Sequence, residues 1–170
     1  MTQLIKQLLN LPKNIIRNSP LPVLVIKNDA PLNPQRILIP TDLSENSKIT
    51  MQRTAELFPE AKILMVSFFD VSFEGRLSFY GFDDDDAMTY QMEIQKIHEV
   101  STQAFTSSLD LGNEKGQILI RKGPLNPQLF LEVSNSLKID LVSIHTSGDF
   151  SFFALELLEE SHYDVLIFKF

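Results

Sequence analysis

Five short apolar runs, Arg36–Pro40, Lys62–Phe69, Gln117–Arg121, Ile139–His145 and Val165–Phe170, punctuate this chain, and the segments between them follow a helical period. A near-continuous apolar run suits a strand buried on both faces, and such strands belong to parallel sheets covered by helices. Ser44 can cap a helix that runs to about Phe58 and stops at Pro59. A longer amphipathic segment runs from Ala87 to about Leu109 and is closed by Gly112. Pro124 suits the first turn of the next helix, which carries Leu129, Phe130, Val133 and Leu137, and Phe152 to Ser161 forms a short last helix. Strand and helix alternate, so the expectation is an α/β fold. It is a doubly wound, five-stranded parallel sheet with strand order 3-2-1-4-5.

A stretch before the first of these strands falls outside that count. Leu4 to Arg17 is helix-like and interrupted at Pro12, and Pro22-Val23-Leu24-Val25-Ile26 is strand-like. The segment from Asn14 to Ile26 repeats the pattern of Glu156 to Phe168: an apolar helix end, a serine, a short turn and a β-branched strand. The domain reading is therefore an N-terminal helix–strand extension over residues 1–30, a linker over 31–35 containing Pro31 and Pro34, and a main domain over 36–170. The extension is expected to add a sixth strand at the sheet edge, on its own chain or on a neighbour. An apolar Val/Leu/Ile run left in water would otherwise invite aggregation.

Charge and composition remove several classes of function. The net charge is −7 and no basic stripe interrupts it, so nucleic acid and anionic membrane surfaces are not expected partners. Cysteine is absent, which excludes disulfides, a thiolate nucleophile and cysteine-ligated metal. With no signal-like start and no long apolar run, a cytoplasmic location is expected.

Ile37-Leu38-Ile39-Pro40-Thr41-Asp42-Leu43-Ser44 resembles the first strand and following turn of the universal stress protein family. Ile139 to Gly148 resembles that family's fourth strand and the start of its phosphate loop, and Ser19 to Val25 resembles its last strand. The resemblance implies an adenine nucleotide alpha hydrolase-like fold, with a nucleotide site between the first and fourth strands. In nucleotide-binding relatives an aspartate and a valine contact adenine, and a loop of pattern Gly-x2-Gly-x9-Gly-Ser/Thr wraps the phosphates. Glycines there let backbone N–H groups approach the anion beside a helix N-terminus.

By that resemblance the vestigial nucleotide site comprises Pro40, Asp42, Phe68, His145 and Gly148. Phe68 stands where the valine would be, His145 replaces the first glycine, and Gly148 alone survives of the pair. Only Asp149 and Phe150 precede Ser151-Phe152-Phe153, so the loop is shorter by roughly two helical turns of chain. Leu9-Asn10 in the extension cannot supply the missing Gly-Ser pair.

Each candidate also has a plainer role. Asp42 suits a turn at a helix start as well as a base contact, and with the pocket degraded the turn reading is preferred. His145 lacks an orienting carboxylate in sequence and is expected to fill the vacated cleft. His98 and His162 show no ligand spacing. Asp83 to Asp86 lack the spacing of a calcium loop and suit the start of the next helix. Phe73, Phe79, Phe82, Phe150, Phe152 and Phe153 lie in or beside loops, where they can plug the pocket or offer an apolar patch to a protein partner.

The functional expectation is a non-catalytic stress-response or regulatory module without a cofactor, acting through protein contacts. The family resemblance also implies a homodimer through the terminal strands, Val23, Leu24, Val25 and Ile26 with Val165, Leu166, Ile167 and Phe168. The alternative is a switch that binds ATP, AMP or another adenine nucleotide with an atypical phosphate site.

Overall fold

The structure is a computed structural model that describes residues 14–29, 33–71, 81, 83–109, 116–146 and 152–170. In chain order the elements are α1 (helical over residues 14–18), β1 (Val23–Val25), β2 (Arg36–Thr41), α2 (Glu45–Leu57), β3 (Lys62–Phe69), α3 (Asp84–Ser108), β4 (Gly116–Lys122), α4 (Pro127–Leu137), β5 (Leu141–Thr146), α5 (Phe152–Glu160) and β6 (Asp164–Lys169). They build one six-stranded sheet of order β1-β6-β5-β2-β3-β4. The five strands from β2 onward are parallel and follow the expected order, and β1 joins the outer side of β6 antiparallel.

Alternation along the strands sorts the core into two layers. Leu38, Leu64, Val66, Val142, Ile144, Val165 and Ile167 pack under α4 and α5 with Phe130, Val133, Ala154 and Leu157. Ile37, Ile39, Ile63, Met65, Leu141, Leu166 and Phe168 meet Met51 of α2 and Phe105 of α3 on the other face. Both faces are covered, so the strands are apolar throughout. Buried hydroxyls join α2 to the sheet: Thr54 Oγ1 on α2 and Ser143 Oγ on β5 lie 2.8 Å apart. No helix among the described residues is long and apolar enough to cross a membrane.

Helix boundaries follow their caps. Ser44 Oγ accepts from Ser47 N at 3.2 Å and starts α2 as expected. The structure starts α3 three residues before Ala87, because Asp83 and Asp86 form a reciprocal capping box and the other aspartates fill the first turn. It also corrects the start of α4. Pro127, not Pro124, occupies the first turn, because Asn126 before it supplies the capping carboxamide to Leu129 N at 2.8 Å.

The extension is docked against its own chain. Val23, Leu24 and Val25 pair with Ile167, Leu166 and Val165, and Ile16 of α1 is only 2% exposed within the core layer that holds α4 and α5. Asp164 Oδ1 accepts from Lys27 N at 2.8 Å and from Asn28 N at 3.1 Å, which fixes the chain as it leaves β1. The residues expected at an interface between copies, Val23 to Val25 and Val165 to Ile167, thus meet one another within one chain.

Gly123, directly after β4, adopts φ +127°, and a Cβ there would lie 2.7 Å from Leu129 Cδ2. Gly123→Ala is therefore expected to destabilise the fold by more than about 1 kcal/mol, read as a lower urea midpoint with an unchanged slope.

Candidate functional site

The sheet changes winding direction between β2 and β5, and a crevice opens there beyond the carboxyl ends of the strands. The described residues lining it are Pro40, Thr41, Asp42, Leu125, Ile144, His145, Thr146 and Phe153, around a volume of about 240 Å³. Three of the expected site residues, Pro40, Asp42 and His145, are thereby brought together. Phe68 is not among these described lining residues; it packs half-buried on the face of Leu64 and Val66. Gly148 lies outside the described residues, as do Phe73, Phe79, Phe82 and Phe150.

The turn after β2 occupies much of Asp42. Its Oδ1 accepts from Ser44 N at 3.0 Å and from Ser47 Oγ at 2.7 Å, while Thr41 Oγ1 accepts from Leu43 N at 3.0 Å. These bonds hold Leu43 at φ +63°, a left-handed conformation uncommon for a side chain of that size. The turn role foreseen for Asp42 is thus real, and the carboxylate still lines the cleft.

Electrostatics set both groups apart from their solution behaviour. Burial works to raise the Asp42 pKa, but the hydrogen bonds from Ser44 and Ser47 and the attraction of His145 outweigh it and hold the carboxyl below its ordinary range. Burial lowers the His145 pKa, and the Asp42 charge offsets this only in part. A carboxylate does therefore face His145, contrary to the sequence expectation, because the topology brings the ends of β2 and β5 together. Near neutral pH the cleft holds an anion beside an uncharged imidazole.

The imidazole of His145 also leans on Phe170, with ring centroids 6.0 Å apart. Phe153 meets Phe130 edge to face at 5.8 Å and so carries an aromatic wall from the core into the cleft. Leu125 comes from the loop between β4 and α4 and escaped sequence reasoning, since only the crossover brings that loop to this end of the sheet. No lysine, arginine or glycine appears among the described lining residues.

The other polar candidates are committed elsewhere. Ser143 is buried and bonded to Thr54 rather than aimed at His145. Ser67 Oγ lies 2.9 Å from His98 Nε2, and Ser67 itself is buried, 1% exposed. No group of His, Asp or Glu among the described residues could hold a metal ion.

No protein-family model and no curated protein matches the chain. Solved structures do. A hypothetical protein whose biochemical function was assigned from its structure is 13% identical, with TM-score 0.60 over 80% of this chain and 96% of that one. A universal stress protein from Archaeoglobus fulgidus DSM 4304 is 12% identical, with TM-score 0.60 over 99% of this chain and 57% of that one. A protein from Pseudomonas aeruginosa UCBPP-PA14 assigned to the universal stress proteins is 18% identical, with TM-score 0.58 over 93% of this chain and 55% of that one. The chain therefore spans little more than half the length of the latter two. It has the fold of the universal stress proteins.

Histidine titration tests the coupling across the cleft. In wild type the His145 imidazole should titrate below 6.5, and Asp42→Asn should lower its midpoint further by removing the attraction that favours the cation. With three histidines in the chain, NMR resolves each one. A raised midpoint in the variant would contradict the arrangement. The sign for stability follows. Because His98 and His145 both have folded pKa values below the unfolded one, the unfolded chain binds protons first, and stability falls as pH drops from about 6.5 toward the folded values.

Proposed function

We propose that this chain is a universal stress protein-like regulatory module of the stress response. It does not bind ATP in the manner usual for the fold, and it acts through protein contacts and through dimerisation when the β6 edge is free. One observation carries the reading: the cleft at the switch point is about 240 Å³ and presents an anionic Asp42, an uncharged His145 and apolar side chains that include Leu125 and Phe153, with no cation among its described lining. Ligand pockets commonly span about 300–1,000 Å³, and a triphosphate needs cations or converging amides to offset its charge. The role is non-catalytic, because no accessible nucleophile among the described residues sits beside a base. A cytoplasmic setting, without nucleic acid or membrane as partner, fits the net charge of −7.

Support for protein contacts comes from α3. Along it Met88, Met92, Ile97 and Val100 are each more than half accessible, whereas Thr102 and Phe105 are buried. The domain reading extends the proposal. Residues 36–170 form the stress protein-like domain, 31–35 the linker, and 1–30 the counterpart of the end of a second such domain. The shorter solved relative matches a share of this chain equal to the main domain alone, whereas the longer ones take in nearly all of it.

A second reading rests on the survival of Pro40 and Asp42 in an open cleft: an adenine-binding switch with an atypical phosphate site. Thermal unfolding separates the two. A ligand present at 100 times its Kd stabilises the folded state by about 2.7 kcal/mol. Millimolar ATP, AMP and cyclic AMP are expected to leave the melting temperature unchanged. A rise with AMP that Asp42→Asn abolishes would select the second reading.

A further inference from the structure

We infer that α1 and β1 are an internal stand-in for a second copy of this chain at the β6 edge, and that releasing them opens this edge to a true second copy. The inference rests on the dimerisation part of the proposed function and is independent of what the cleft binds.

The sequence supplies the first half. Val23-Leu24-Val25-Ile26-Lys27 is the counterpart of Val165-Leu166-Ile167-Phe168-Lys169, with valine, leucine and lysine in the same places and Ser19 matching Ser161 ahead of them. The structure supplies the second. Val23 pairs with Ile167, Leu24 with Leu166 and Val25 with Val165. When each residue is exchanged for its counterpart, the first pair becomes the third and the middle pair maps onto itself. A local twofold axis therefore passes between Leu24 and Leu166. Such reciprocity, in which i meets j and j meets i, is the signature of an isologous contact between identical copies.

Contacts around the axis follow the exchange at the level of whole elements, each lysine reaching the end of the opposite helix, although Arg17 is the counterpart of Glu159 rather than of Leu158 or Ser161. Lys27 Nζ donates to the carbonyl oxygens of Leu158, at 2.6 Å, and Ser161, where α5 ends. Its counterpart Lys169 donates through Nζ to the Arg17 carbonyl at 2.6 Å, where the α1 turn ends. Each lysine thus satisfies the carbonyl end of the opposite helix. Asp164 departs from the symmetry. Its counterpart is Pro22, and its Oδ1 accepts from Lys27 N, Asn28 N and Asn28 Nδ2, which fastens the internal copy in place.

A second copy could use the same surfaces. In an edge-to-edge β6 pair, Val165 would face Ile167 of the other copy, Leu166 would face itself, and Lys169 would take the part of Lys27. The internal strand wins at ordinary concentrations because the ten residues from Ile26 to Gln35 tether it, and a short linker supplies an effective concentration on the order of millimolar. The new outer edge is poor for pairing, since β1 has three residues and is flanked by Pro20, Pro22 and Lys27.

Cysteine placement in this cysteine-free chain tests the arrangement. In the full-length protein carrying Val23→Cys and Ile167→Cys, oxidation should close a disulfide within one 19.4 kDa chain, since facing residues of an antiparallel pair meet the spacing a disulfide requires. A disulfide-linked two-chain product would overturn the internal docking. Release is tested in the full chain by Val25→Pro with Lys27→Glu. Sedimentation should show wild type as one chain and the variant as two. In the released background alone, a single added Leu166→Cys should link two chains, because that residue lies on the axis. A released protein that stays monomeric with a native circular dichroism spectrum would refute the second half. If the double variant does not fold, Lys27→Met replaces it, with at least a tenfold gain in dimerisation expected and no gain counting against the inference.

Discussion

A parallel sheet covered by helices on both faces touches water only along its edges and at the ends of its strands. This one constraint organises the molecule. The strands from β2 to β6 are apolar throughout because both faces are buried, so specific polar chemistry has two places left to occur. The carboxyl ends of β2 and β5 provide one of them, where Asp42 and His145 meet. The outer edge of β6 provides the other, where a row of unpaired backbone groups demands a partner.

At the strand ends a crevice opens at the switch point, and no lysine or arginine is among its described lining residues. The carboxylate has found local work. Asp42 receives a backbone amide and a serine hydroxyl from the turn and first residues of α2, so its ionisation is favoured by the fold itself and needs no ligand. His145 gains nothing comparable, and burial keeps it neutral. The same pair in a cleft with a facing lysine would attract an anion. Here Leu125 and Phe153 occupy the wall, and the field is weakly repulsive to phosphate.

Much of the fold was legible because burial on both faces writes itself into sequence as uninterrupted apolar runs. Lys62–Phe69 matches its strand residue for residue, and the expected order 3-2-1-4-5 is the one found from β2 to β6. Helix starts were legible only where one cap dominated. Ser44 did so, whereas Pro124 competed with Asn126-Pro127, and the side-chain cap prevailed. In the cleft, Asp42 and His145 could be named because each sits at the end of a recognisable strand. Leu125 could not, since its place depends on a loop carried across the sheet by a crossover. Phe68 was assigned from the family resemblance, and it packs half-buried against the core outside the described lining of the cleft.

The antiparallel sense of β1 has a simple physical origin in the linker. Ten residues separate Val25 from Arg36, and they must carry the chain past β6 and β5, about 14 Å at the usual strand spacing. An antiparallel β1 ends beside Val165, at the same end of the sheet where β2 begins, so an extended reach of roughly 33 Å for ten residues is ample. A parallel β1 would end at the opposite rim and would need a return across the sheet, for which crossover connections take a dozen or more residues. The direction that suits the short tether is also the only one a twofold edge contact allows. Linker length and the self-complementary sequence of β1 and β6 therefore impose the same geometry, and a strand of three residues holds its register without a long ladder of its own.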